Sequence, residues 1–145
     1  EIVHNGNERV AIAAAQAALQ LKCPHRVILG TDGPAGSGVQ PLGMLRMIAL
    51  LSSLGGIPAE LVVCFATGNT ARIRGLDCGL VEPGRAADFV FLDRAQHTAG
   101  RTLLESIGLG DLPGVGMVMI DGLVRCGRSR NTPPATEVPM VVGAH

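Results

Sequence analysis

The chain opens on Glu1-Ile2-Val3, which reads as a strand already in progress. After an alanine-rich stretch comes the apolar run Val27-Ile28-Leu29, which breaks off at Gly30-Thr31 and delivers Asp32 into a glycine-rich loop. A short continuous apolar run bounded by turn residues reads as a buried strand rather than as one face of an amphipathic helix. Strand, helix and strand in that order form the repeating unit of a parallel sheet. This order constrains the fold more than any other feature, because it places Asp32 at a strand's C-terminal end, where α/β folds gather their ligands. Two roles stay open for Asp32 at this point: a site carboxylate, or a loop cap accepting backbone N–H bonds.

The other segments are read from local signals. Residues 8–22, ERVAIAAAQAALQLK, are strong helix formers with Ile12, Ala15, Leu19 and Lys22 at helical spacing and Asn7 as N-cap. Pro24 stops that helix, and the next strand runs over 26–31. Pro41 opens a second helix with Leu42, Leu45, Ile48, Ala49 and Ser52 on one face, ending at Gly55-Gly56. Pro58 opens a third helix through Ala66, and Asn69 or Thr70 recaps a short turn that ends at Gly75. From Gly79 the character changes. Glu82-Pro83-Gly84 suits a type II turn, 87–92 reads as a strand with Phe89 and Phe91 on one face, and 102–109 reads as a short helix. Strands over 115–120 and 123–126 are joined by the hairpin signal Asp121-Gly122. The proline-rich end, SRNTPPATEVPMVVGAH, is expected to lie extended along a surface. Strand–helix units followed by hairpins mark a change of fold class and hence a domain boundary, giving segments 1–78, 79–127 and 128–145.

Composition narrows the function classes. Twelve basic residues balance twelve acidic ones, Lys22 is the only lysine, and the arginines form no basic stripe, which argues against a nucleic-acid partner. The most apolar stretch, 42–54, is interrupted by Arg46 and is too short to span a bilayer. Cys23, Cys64, Cys78 and Cys126 show no Cys-x-x-Cys spacing, as expected of free thiols in a reducing cytoplasm. No signal-peptide pattern opens the chain, and its start at Glu1 within a strand leads us to expect a piece of a longer protein. The glycines after Asp32 do not make a phosphate loop, since Gly33-x4-Gly38 is followed by Val39 rather than lysine. His4 falls at the end of the first strand, on the same rim as Asp32. His25, His97 and His145 have no partner at metal-ligand spacing.

GTDGP together with ATGNTARIRGLDCGLVEPGRAADFVFLD resembles the C-terminal part of the amidohydrolase superfamily. The more specific second motif is carried by Ala66, Thr67, Asn69, Gly75, Leu76, Gly79, Pro83, Gly84, Ala87 and Asp88. The resemblance implies an α/β fold, namely the C-terminal fragment of a (β/α)8 TIM-like barrel followed by part of a small β-sandwich. Residues 1–3 would be the seventh strand and 26–31 the eighth. Asp32 would then be the eighth-strand aspartate, both a metal ligand and the group that takes the proton from a metal-activated water. The loop residues Gly33 and Ser37, with His4, would bind substrate. A divalent metal is implied, a binuclear centre of zinc, iron or both, with most ligands outside this chain. Asp88 is expected to be structural.

Within the family, stretches such as VCFATGN, DLPG, IDG and above all SRNTPPA resemble the branch acting in nicotinate fermentation. That implies hydrolysis of a cyclic amide of the 6-oxo-tetrahydronicotinate type by a cytoplasmic homo-oligomer, with this fragment inactive alone. Another ring-opening amidohydrolase, dihydroorotase-like or hydantoinase-like, and a non-catalytic structural module are the alternatives.

Overall fold

The computed structural model describes residues 1–3, 6–33 and 38–142. Strand β1 (Ile2–Val3) leads into helix α1 (Glu8–Gln20), whose first turn is closed by the expected cap: the Asn7 side chain accepts from the Val10 N–H at 3.1 Å. Helix α1 ends at Gln20 with Leu21 as its cap, ahead of Pro24, and Pro24 starts a 3₁₀ turn, Pro24–Arg26, so the second strand is shorter than expected. Strand β2 (Leu29–Gly30) pairs with β1 in parallel, Ile2 opposite Leu29 and Val3 opposite Gly30. A ladder extends only as far as its partner does, and β1 has two residues; Val27 and Ile28 are nevertheless buried ahead of it.

Helices α2 (Gly43–Ser53), α3 (Ala59–Ala66) and α4 (Gly68–Arg74) follow. The buried face of α2 is wider than expected. Ile48, Ala49 and Ser52 are buried as expected, and Met47 and Leu51 are fully buried beside them, because α2 packs against β2 and α1 as well as α3, and a single stripe is too narrow for that. Lys22, expected within α1 at helical spacing, lies beyond the helix at an exposed position with φ +56°. Nor do Asn69 and Thr70 cap α4; Thr67 occupies the cap position and Asn69 faces inward. The core gathers Ala15, Leu29, Met47, Leu51, Val62 and Phe65.

The second sheet has the order β3 (Phe89–Asp93), β4 (Gly114–Ile120), β5 (Leu123–Cys126), with antiparallel pairing throughout. Phe89 and Phe91 share a face as expected, their ring centroids 6.1 Å apart. Arg85 N–H bonds to the Glu82 carbonyl with φ +87° at Gly84, the expected type II turn. Asp121 and Gly122, at φ +52° and +73°, form the tight β4–β5 turn that requires left-handed backbone at both positions. Asp88 holds that turn: its Oδ1 accepts from the Asp121 N–H at 2.8 Å.

Helix α5 (Leu103–Gly108), capped by the Thr102 hydroxyl, packs on α2 and α3 and buries Ile107 in their core. The proline-rich end bends at 130–132 and 136–137, and it is tied down. Ala135 bridges to Ala95, and the Glu137 N–H donates to Asp93 Oδ2 at 2.7 Å. Ala135 is buried because its backbone lies directly on Gly114, where any Cβ would stand 2.7 Å from the Pro133 carbonyl oxygen.

Candidate active site

Asp32 lies two residues beyond β2, exposed, with φ +49°. The parallel register of β1 and β2 puts the C-terminal ends of both strands on one rim, and Asp32 leaves from that rim. A left-handed φ is uncommon outside glycine, and aspartate is among the few residues that accept it. It turns the chain sharply out of the strand, so the carboxylate comes from a defined strand end rather than from mid-loop.

The strand behind Asp32 is fixed from several sides. Ile2 N–H donates to the Ile28 carbonyl at 2.9 Å, and Val27, Ile28 and Leu29 are buried. From α4, Asn69, only 7% exposed, donates through Nδ2 to the carbonyls of both Pro24 and Val27, each at 2.9 Å. Arg74 of the same helix pairs with Glu1 at the start of β1. Helix α4 therefore ties the N-terminal ends of both strands. Sequence reasoning singled out Asn69 as a motif residue and as a cap, and it missed this cross-tie. The available signal was an asparagine inside a motif flanked by apolar helix.

Gly33 is exposed, has no left-handed φ, and would place a Cβ no nearer than 3.9 Å to Thr31 Oγ1. Nothing among the described residues demands a glycine there. His4 and Ser37, the other expected substrate-binding residues, lie outside the described residues. A larger apolar cleft of about 700 Å³ lies elsewhere, between α3, β3, α5 and the chain's end, and Asp32 does not line it.

A family model described as the Amidohydrolase family matches residues 3–124. The chain belongs to the amidohydrolase family. It is 38% identical over 142 residues to the enamidase of Eubacterium barkeri, covering 98% of this chain and 37% of that protein. Over 101 residues it is 33% identical to a 5'-deoxyadenosine deaminase of Methanothermobacter thermautotrophicus. A 5-methylthioadenosine/S-adenosylhomocysteine deaminase of Thermococcus onnurineus is 32% identical over 100 residues. The crystal structure of an enamidase superposes with a TM-score of 0.89 at 38% identity, over 92% of this chain and 34% of that one. This amidohydrolase chain thus has the superfamily's mixed α/β fold and spans about a third of its enamidase relative.

Members of the superfamily are generally metal-dependent. Among the described residues no group of three or more His, Cys, Asp or Glu is gathered closely enough to hold a metal ion. Asp32 supplies a hard oxygen donor of the kind zinc and iron accept. Among the described residues, then, Asp32 fits one ligand of a metal centre, and no whole metal site is gathered. No helix among the described residues is long and apolar enough to cross a membrane.

Proposed function

We propose that this chain is the C-terminal share of a metal-dependent amidohydrolase of the enamidase type, which opens a cyclic amide such as a 6-oxo-tetrahydronicotinate. On this reading residues 1–78 are the last two strand–helix units of a (β/α)8 barrel with an added helix. Residues 79–127 are the C-terminal part of a β-sandwich, and 128–145 are an extended tail. The full-length protein is a cytoplasmic homo-oligomer.

The observation that carries the reading is Asp32, an exposed carboxylate at the C-terminal end of a parallel strand, held in a left-handed conformation. An uncommon backbone conformation at a strand end is a reason to look for function there. When bound, a zinc or iron centre with most of its ligands outside this chain acidifies a water and polarises the amide carbonyl. Asp32 contributes one oxygen to that centre. As water adds to the ring carbonyl, Asp32 accepts the released proton, then passes it to the ring nitrogen as the C–N bond breaks. The product of that step is a single open chain that carries the new carboxylate at one end and an enamine at the other, and the enamine releases ammonia on hydrolysis by a second water. His4, Gly33 and Ser37 border the substrate.

The enamidase branch is favoured over the deaminases by extent. The enamidase likeness covers 98% of the chain and includes the proline-rich end, whereas the deaminase likenesses cover 64% and 63%. That end is built into the fold through Ala135 and Glu137. Assaying the full-length protein on the cyclic enamide and on 5'-deoxyadenosine side by side separates the two. Disappearance of the lactam, followed by chromatography, is expected; turnover of the nucleoside with the lactam untouched overturns the enamidase reading.

A further inference from the structure

The residue before Asp32 is seated in an unusual way. Thr31 is half-buried, and it packs against Gly43, the first residue of α2, which is itself buried. A Cβ built on Gly43 would stand 3.1 Å from Thr31 Cγ2 and 3.5 Å from Thr31 Cβ. The first distance is tighter than most Cβ contacts, so Thr31 must give by a few tenths of an ångström, while the second is ordinary van der Waals contact. Thr31 is half-buried and joined directly to Asp32, so a shift of Thr31 is passed to the residue that follows it. Gly43 has no left-handed φ, so its own conformation admits alanine. What glycine provides here is space, and that space lies against the residue joined to Asp32. The segment preceding α2 is constrained from the other side as well, with Leu42 held at φ +57°.

We propose that Thr31 is a positioning residue for Asp32, and that the missing side chain at Gly43 is what allows Thr31 to seat where Asp32 can act. The proposal rests on the reading of Asp32 as the proton acceptor. Reaction geometry is sensitive at this scale: a 1 Å misplacement costs about a hundredfold in rate, so a displacement of a few tenths of an ångström costs about three- to tenfold.

The test uses the full-length protein with four variants, Gly43→Ala, Thr31→Ser, the two combined, and Asp32→Asn, each measured for kcat, KM and melting temperature. Alanine is the better helix former, so Gly43→Ala leaves α2 no weaker. It is expected to lower kcat about three- to tenfold, with KM within about twofold and melting temperature not lowered. Crystal structures should show the Thr31–Asp32 backbone displaced from β1. Thr31→Ser removes the methyl that the new Cβ meets, so the double variant should recover kcat and the original backbone position. Unchanged kcat in Gly43→Ala, or a loss that Thr31→Ser does not reverse, overturns the proposal. If Gly43→Ala does not fold, Thr31→Ser alone decides: an unfilled methyl site predicts a loss of about two- to threefold in kcat at constant KM, and a wild-type kcat overturns the proposal. Asp32→Asn keeps the two levels apart. Full turnover in that variant defeats the reading of Asp32 itself, whereas its loss beside an unaffected Gly43→Ala defeats only the positioning role.

Discussion

At the scale of single residues, two carboxylates of the family motifs do different work. Asp32 leaves a strand end, whereas Asp88 spends its Oδ1 on the Asp121 N–H of the β4–β5 turn. That bond is exposed, so water can replace part of it, and Asp88→Ala should cost about 1 kcal/mol of stability, within the usual range for one hydrogen bond. Turnover per folded molecule should hold; a large fall in turnover at constant melting temperature would contradict the structural role. Gly33 makes the opposite case. Nothing among the described residues crowds its Cβ position, and its φ is not left-handed. Gly33→Ala should therefore leave the melting temperature unchanged or slightly raised, since alanine reduces the freedom of the unfolded chain. If the Gly33 loop borders the substrate, KM should rise, and an unchanged KM argues that the loop stands clear. Asp32 was legible from sequence because a strand end followed by turn residues is a local pattern. The Asn69 cross-tie was not, because its partners lie 42 and 45 residues away.

At the scale of elements, α4 acts as a strut. Its Asn69 donates to two backbone carbonyls, that of Val27 in a buried setting and that of Pro24, which also accepts from the Val27 N–H, and its Arg74 meets Glu1. Asn69→Ala should lower stability by about 1 to 3 kcal/mol, because the buried Val27 carbonyl loses this donor. Asn69→Asp should be at least as damaging, since a carboxylate would face two carbonyl oxygens. Denaturant unfolding measures both, and a loss below about 0.5 kcal/mol would show the cross-tie to be dispensable. The elements that sequence placed well are those with strong local punctuation: α1 between Asn7 and Pro24, and the hairpin at Asp121-Gly122. The face of α2 was read too narrowly: Ile48, Ala49 and Ser52 are buried as expected, but Met47 and Leu51 are buried too, because neighbours on several sides set its burial, which periodicity along one helix does not reveal. In the same way, the packing of α5 into the core of α2 and α3 depends on contacts far apart in the chain.

At the scale of the whole molecule, on the proposed reading the chain brings one carboxylate ligand and a two-stranded parallel sheet, a small part of a catalytic centre. Catalytic metal sites take three or more protein ligands, and Val90, Phe91, Leu104 and Leu123 stand exposed on the described surface. The 145-residue chain by itself should bind zinc weakly, open no cyclic amide, and associate through its apolar faces and open strand edges. Equilibrium dialysis with zinc checks the first point, and tight stoichiometric binding by the monomer would overturn it. The central claim is that Asp32 moves the proton in a C–N bond hydrolysis, and the most direct measurement is the turnover of a cyclic amide by full-length Asp32→Asn protein. The variant keeps the size of the side chain and removes its basicity. Turnover should fall by at least about a hundredfold with little change in melting temperature; turnover within a few-fold of the unsubstituted protein would return Asp32 to the role of a loop cap and contradict the account.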